Sequence, residues 1–284
     1  MIATIGKKSH HEIVLKNRRL DYAQRTLIMG ILNVTPDSFS DGGKHNAIDK
    51  SVRHALKMVE DGADIIDVGG ESTRPGFEPV PLEIELERVI PVIRAIRQVS
   101  DIPISIDTYK AETARQALEA GADIINDIWG AKADKDMAAV AAGYQAPIVL
   151  MHNRQDRNYR DLIADILDDL QESIDLVKKA GLSDDCIIVD PGIGFAKNYE
   201  ENLHVLGRLE VFQKWGYPVL LGTSRKGFIG QTLHTTVDDR VEGTGATICL
   251  GITKGCRMIR VHDIKPMARM AKMMDTMLKR EANG

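Results

Sequence analysis

Short apolar runs alternate with amphipathic stretches from Thr26 to the end of the chain. The runs are Leu27–Val34, Asp64–Gly69, Ile102–Asp107, Asp123–Ile128, Pro147–His152, Cys186–Asp190, Pro218–Thr223 and Arg257–His262, and most are near-continuous Ile, Val and Leu. Strands of a parallel sheet covered on both faces read this way, because neither face meets water. Between the runs, Ser51–Asp61, Glu83–Val99, Lys110–Ala120, Tyr159–Ala180, Asn198–Trp215 and Asp238–Lys254 carry apolar residues at helical spacing, and Met267–Lys279 follows the last run. The alternation predicts eight strand–helix units.

The pattern also repeats. Gly62-Ala63-Asp64-Ile65-Ile66-Asp67 returns as Gly121-Ala122-Asp123-Ile124-Ile125-Asn126, two units later. In each, a glycine ends a helix and a short turn feeds the next strand. Repetition of one unit suits a closed barrel better than a doubly wound sheet. The expected fold is therefore α/β, a single (β/α)8 TIM barrel spanning residues 26–280, in one domain of residues 1–284. Residues 1–25 form an extension, within which 12–23 are expected to make a hairpin that plugs the barrel's lower end.

Length agrees with this: 284 residues is near the usual size of such a barrel. A net charge of -4 gives no reason to expect a nucleic-acid or membrane-surface partner. No apolar run approaches the roughly 20 residues that span a bilayer, and Met1 to His11 holds no signal-like apolar core. Cys186, Cys249 and Cys256 form no CxxC pair and are odd in number, so neither a disulfide framework nor a zinc site is expected. A reducing, cytoplasmic setting fits, with Cys186 starting an apolar strand. The stripe Met267, Met270, Met273, Met274 and Met277 reads as barrel packing or a subunit contact.

Barrel enzymes gather their working residues at the carboxyl ends of the strands. Here those ends are Asn33; Asp67 with Gly69–Gly76; Asp107-Thr108; Asn126-Asp127; Met151-His152; Asp190-Pro191-Gly192; Thr223–Lys226; and Arg260–Asp263. All eight finish on groups that donate, accept or carry charge, which packing alone does not require. Asp107, Asn126, Asp190 and Lys226 offer carboxylates, an amide and an ammonium. They match a flat heterocycle with N–H donors on one edge and carbonyl acceptors on another, since a carboxylate accepts two parallel donors. Asn33, Thr73, Arg74, Arg260 and His262 offer a metal-compatible oxygen and several phosphate donors. The set reads as a site for a heterocycle bearing a phosphorylated arm. Asp67, Asp127 and Trp129 read as supports, and His152 as a hydrogen-bonding partner behind the site.

Eight motifs occur in order: NVTPDSFSDGG from Asn33, then GGESTRPG, SIDT, INDIWG, MH, DPGIGF, LGTSRK and RVHD, ending at Asp263. Together they closely resemble those of dihydropteroate synthase. The resemblance implies a transferase of folate biosynthesis and a sulfonamide target. It would join (7,8-dihydropterin-6-yl)methyl diphosphate to p-aminobenzoate by a dissociative path, with Mg²⁺. It also implies that Asp107, Asn126, Met151, Asp190, Phe195 and Lys226 hold the pterin, and that Asn33, Thr73, Arg74, Arg260 and His262 surround the pyrophosphate. Asn33 would meet the metal, and Asp107, Lys226, Arg260 and His262 would carry the chemistry. Loss of Arg260 is then expected to slow turnover while sparing pterin affinity.

By the same resemblance Phe39, Asp41, Ser72 and Pro75 complete the p-aminobenzoate pocket. The loops Thr35–Lys44 and Glu71–Pro79 are expected to order around phosphate and metal, so that p-aminobenzoate binds second. Gly227 departs from the Ser or Arg often found after the Ser-Arg-Lys triplet, leaving the p-aminobenzoate carboxylate one side chain fewer. Two other functions share such a fold, a corrinoid-dependent pterin-binding methyltransferase domain and a non-catalytic pteridine-binding barrel. The intact pyrophosphate loops speak against the first, and Asn33, Arg74 and Lys226 against the second. A homodimer is expected through the last two helices, with Cys249, Ile252, Met270, Met273, Met274 and Met277 on its face.

Overall fold

A computed structural model describes residues 11–34, 43–71 and 79–282. Phe39, Asp41, Ser72, Thr73, Arg74 and Pro75 lie outside the described residues. The chain opens with a hairpin of β1 (Glu12–Val14) and β2 (Arg19–Asp21). The barrel strands are β3 (Leu27–Asn33), β4 (Ile65–Gly69), β5 (Ile104–Asp107), β6 (Ile124–Asp127), β7 (Ile148–Met151), β8 (Ile187–Asp190), β9 (Leu220–Leu221) and β10 (Met258–Val261). All neighbours pair in parallel, in the order β8-β7-β6-β5-β4-β3-β10-β9. A bridge between Val189 and Val219 brings the two ends together, so the sheet is a nearly closed barrel as expected.

Each strand is shorter than its apolar run, because the chain leaves the ladder before the apolar residues end. Cys186 falls in a tight turn, Asp184–Cys186, ahead of β8, though it is buried as packing requires. The helices are α1 (Gly43–Asp61), α2 (Leu82–Val99), α3 (Ala111–Ala120), α4 (Met137–Tyr144), α5 (Leu162–Lys179), α6 (Tyr199–Gly207), α7 (Gly227–Leu233), α8 (Val241–Thr253) and α9 (Ile264–Ala282). The expected Asn198–Trp215 helix begins on cue, with Asn198 and Glu201 forming a capping box. It breaks at Gly207 and resumes as a 3-10 turn over Leu209–Trp215.

The echoed Gly62 and Gly121 both adopt left-handed φ, 109° and 115°. In each case the next residue's N–H reaches back to a carbonyl one helical turn earlier, Ala63 to Met58 and Ala122 to Ala117. This closes the helix and aims the chain into the next strand.

Side chains alternate across each strand. Ile28, Ile66, Ile104, Ile106, Ile125, Leu150 and Val189 face outward to the helices and form the larger core. Leu27, Met29, Ile65, Ile124, Val149, Ile188, Leu220 and Met258 form a second core inside the barrel. Ile13, Leu15 and Tyr22 of the hairpin pack into that inner core and are at most 5% exposed. The hairpin thus floors the barrel. With the lower interior filled by hydrocarbon, the next inward positions on β4, β6, β8 and β10 are polar and open at the other end.

Candidate active site

Counting by twos along each strand tells which polar residues enter the barrel. From Ile65 the next inward residue is Asp67, from Ile124 it is Asn126, from Val149 Met151, and from Ile188 Asp190. From Met258 it is Arg260. Asp127 has the opposite parity and lies in the outer layer, where its carboxylate accepts from the N–H groups of Trp129 and Ala131. The register places Asp107 beside Asn126 and Met151 beside Asp190 on neighbouring strands. Asp67, Asp107, Asn126 and Asp190 are all 5% exposed or less.

Arg260 binds this cluster together. Its Nε donates to Asp67 Oδ2 at 2.6 Å and its Nη2 to Asp107 Oδ2 at 2.6 Å, while Asn126 Nδ2 donates to the same Asp67 oxygen at 3.1 Å. The second oxygens of Asp67 and Asp107 are buried without a hydrogen-bond partner. An orphaned carboxylate oxygen in a barrel mouth is an acceptor awaiting a donor. Burial pushes the Asp107 carboxyl up to about 7, against the pull of Arg260. Burial raises Asp190 as well. Arg260 was grouped with the phosphate donors on sequence; its bonds to Asp67 and Asp107 make it equally a part of the carboxylate cluster, so removing it would disturb the acceptors too.

Asp190 does two things. Its Oδ1 accepts from Gly192 N–H at 2.7 Å, which is the turn-forming bond that the Asp-Pro-Gly sequence suggests. Its other oxygen remains for a ligand. Gly192 has φ 69°, and a Cβ there would collide with the His152 carbonyl, so only glycine fits. Lys226 lies across this turn, donating to the Ile193 carbonyl at 2.8 Å with its Nζ 4.1 Å from the Phe195 ring centre. Burial lowers the Lys226 ammonium to about 8, although Asp190 opposes the change. Phe195 and Lys226 are half-buried, so a flat ligand can reach both.

Asn33 ends β3 with its side chain exposed. His262 follows β10, its Nδ1 3.0 Å from Ser224 Oγ, and Ser224 Oγ also accepts from His262 N–H. Arg225, by contrast, is turned to Asp263 in a two-pronged ion pair of 2.9 and 2.7 Å. Of the predicted set, the structure brings Asp107, Asn126, Met151, Asp190, Phe195, Lys226 and Arg260 together around one mouth. Asn33 and His262 stand at the ends of adjacent β3 and β10.

Sequence reasoning passed over one buried group. Lys197 Nζ lies 2.8 Å from His152 Nδ1, 3.0 Å from the Gly192 carbonyl and 3.1 Å from the Phe195 carbonyl. Behind it His152 Nε2 meets Asp169 at 3.1 Å, and Arg154 holds the same carboxylate. His152 therefore works as a hydrogen-bonded support, and burial pushes its pKa down to about 4. Ala196 and Asn198, the sequence neighbours of Lys197, carry no signal of its burial.

Comparison with known proteins agrees with the geometry. The family model described as pterin binding enzyme matches residues 29–262. Dihydropteroate synthase of Bacillus subtilis (strain 168) is 60% identical over 265 residues, spanning 93% of this chain and 93% of its own. A crystal structure of the Clostridium difficile dihydropteroate synthase, in the presence of pteroic acid, gives a TM-score of 0.89 at 50% identity. The match covers 91% of this chain and 98% of that one. The Xanthomonas albilineans dihydropteroate synthase with 4-aminobenzoic acid also gives 0.89, at 38% identity, over 94% and 98% of the two chains. Motifs, barrel and site together establish that the chain belongs to the pterin-binding enzyme family, among the dihydropteroate synthases, which are transferases.

Proposed function

We propose that this chain joins (7,8-dihydropterin-6-yl)methyl diphosphate to p-aminobenzoate, giving 7,8-dihydropteroate and pyrophosphate. The observation that carries the reading is the pair of unpartnered Asp67 and Asp107 oxygens beside Asp190, with Arg260 and Lys226 closing the cluster. Asp107 and Asp190 accept the N–H edge of the pterin, Asn126 and Lys226 donate to its acceptor edge, and Met151 and Phe195 pack on its faces.

The chemistry follows from the charges. The bond between the pterin methylene and the diphosphate oxygen breaks with both electrons going to oxygen. The cation left behind delocalises into the dihydropterin ring, where Asp107 and Asp190 supply negative charge. Arg260 and His262, with Thr73 and Arg74 from outside the described residues, receive the departing pyrophosphate. The neutral aniline nitrogen then forms the new carbon–nitrogen bond and releases its proton to solvent or pyrophosphate. A stabilised cation needs no strong general base. Phe39, Asp41, Ser72 and Pro75 complete the p-aminobenzoate pocket in this reading.

Asn33 suits Mg²⁺. Among the described residues no group of three or more His, Cys, Asp or Glu side chains could enclose a metal. Mg²⁺ commonly keeps several waters and takes one or two protein oxygens plus substrate phosphates, and the exposed Asn33 amide offers such an oxygen. Held by Asn33, such an ion would supply positive charge against the leaving pyrophosphate.

The active form is a homodimer in this reading. On α8 and α9, Leu250, Met273 and Met277 are 40%, 58% and 41% exposed. Ile252, expected on that face, is instead 1% exposed in the core, and Met267 is fully buried. Three free thiols suit a cytoplasmic setting. No helix among the described residues is long and apolar enough to cross a membrane.

A coupled assay for pyrophosphate release tests the reaction. Release should need both substrates and should fall sharply when Mg²⁺ is withheld. Release from the pterin diphosphate alone, at the same rate, would overturn the proposal.

A further inference from the structure

The turn between β8 and α6 starts from Asp190 and carries Phe195, two of the proposed pterin contacts, yet the sheet does little to hold it. Its only backbone-to-backbone bond within the turn runs from Phe195 N–H to the Gly192 carbonyl, at 3.1 Å. Three of its residues, Gly192, Gly194 and Ala196, have left-handed φ of 69°, 83° and 46°. A path so far from regular structure keeps its shape only if the surroundings fix it.

Side chains do that here. The Gly192 and Phe195 carbonyls accept from Lys197, the Ile193 carbonyl accepts from Lys226, and the Ala196 carbonyl accepts from Tyr159 at 2.8 Å. Gly194 N–H donates to Asn202 at 2.6 Å. Asn202 also holds the Lys197 and Asn198 carbonyls where the turn enters α6, whereas Lys197 grips the Gly192 and Phe195 carbonyls in the middle of the turn, from inside the protein. Its three acceptors, the two carbonyls and His152 Nδ1, match the three N–H groups of an ammonium. His152 in turn meets Asp169 of α5, and Arg154 donates to the same carboxylate oxygen. The chain of contacts ties the turn after β8 to the residues after β7.

A buried lysine is costly, and burial lowers this one to about 7 despite the attraction of Asp190. An apolar side chain could fill the same space without that cost. We propose that Lys197 is a positioning residue for pterin recognition: clamped to the Gly192 and Phe195 carbonyls, it sets the Phe195 ring and the Asp190 turn in the arrangement the heterocycle meets. The inference rests on the pterin reading of the mouth, and extends it to a residue that does not touch the ligand.

The test uses the full-length enzyme with Lys197→Met, Lys197→Gln, Phe195→Ala and the double variant Lys197→Met/Phe195→Ala. Steady-state constants are measured for both substrates, a pterin analogue is titrated by calorimetry, and thermal melting checks folding. Lys197→Met should raise the KM for the pterin diphosphate and the analogue's Kd about tenfold or more. The KM for p-aminobenzoate should stay within about twofold. Lys197→Gln keeps one donor and should fall between, which also serves if the Met variant does not fold. On the Phe195→Ala background the same Lys197 change should cost at most about threefold, since the ring it positions is gone. Equal losses on both backgrounds, or parallel rises in both KM values, would overturn the inference. Wild-type enzyme that failed to turn over both substrates would instead sink the underlying function.

Discussion

Asp190→Asn separates binding from stability more cleanly than any other change at the mouth. One Asp190 oxygen is spent on Gly192 N–H at 2.7 Å, and an amide oxygen can keep that bond. The other position then becomes an NH₂ group facing the N–H edge of the pterin. The ligand loses a charged acceptor, worth about 1.5–3 kcal/mol, and meets a donor in its place. A loss of about 2–3 kcal/mol corresponds to a Kd roughly 30- to 150-fold higher.

Stability should move the other way. Burial raises the Asp190 pKa above the ordinary carboxylate value of 3.8, outweighing the Gly192 N–H, Lys226, Lys197 and Arg260. A carboxyl whose folded pKa is raised contributes stability below its unfolded pKa and loses it as pH rises through the folded value. At neutral pH the unfolded carboxyl is ionised, so burying this group costs stability that an amide does not lose. Calorimetry with a pterin analogue and a thermal melt on the same sample read both quantities. Weaker binding with an equal or higher Tm is expected. Unchanged affinity, or affinity lost only in step with a falling Tm, would refute the reasoning and leave Asp190 as a turn-former.

Pterin-analogue affinity should be bell-shaped in pH: it falls below about 7 as Asp107 takes up a proton and ceases to accept, and above about 8 as Lys226 loses its charge. Titration calorimetry across pH checks this, and a flat profile from pH 5 to 9 would count against both assignments. Arg260→Ala should lower stability by about 3–5 kcal/mol, because it strands Asp67 and Asp107 in the interior; denaturant unfolding measures it, and binding of a pterin analogue should weaken alongside turnover. Ile13→Ala should cost about 2–5 kcal/mol by opening the barrel floor, with both KM values unchanged; a changed KM would mean that the hairpin reaches the mouth.

The barrel was legible because its strands are apolar on both faces and its helices are not. The same feature hid the parity of each strand. Only the inward parity of Ile65 and Ile124 separates Asp67, in the mouth, from Asp127, in the outer layer. Two helices escaped notice for physical reasons. Met137–Tyr144 is almost wholly Ala, Val and Met and so has no polar face, and Gly227–Leu233 is two turns long. One Asp190 oxygen makes the turn that its Pro191-Gly192 neighbours suggest, so the turn and the proposed pterin contact draw on different atoms of one carboxylate. Lys197 was invisible because a lysine between Ala196 and Asn198 looks solvated; its burial depends on how the β8 turn folds over His152. Ile252 follows Cys249 at helical spacing on α8, and only packing against the barrel tells the inner edge of such a stripe from the outer.

The most direct test of the account is where a pterin binds. A crystal structure with a pterin analogue should show the ring at the carboxyl end of the barrel, its N–H edge within hydrogen-bonding distance of Asp107 and Asp190, and Lys226 and Phe195 against the ring. A ring seated instead at the opposite end, in the cavity of about 700 Å³ lined by Tyr22, Trp215, Tyr217 and Arg257, would contradict it.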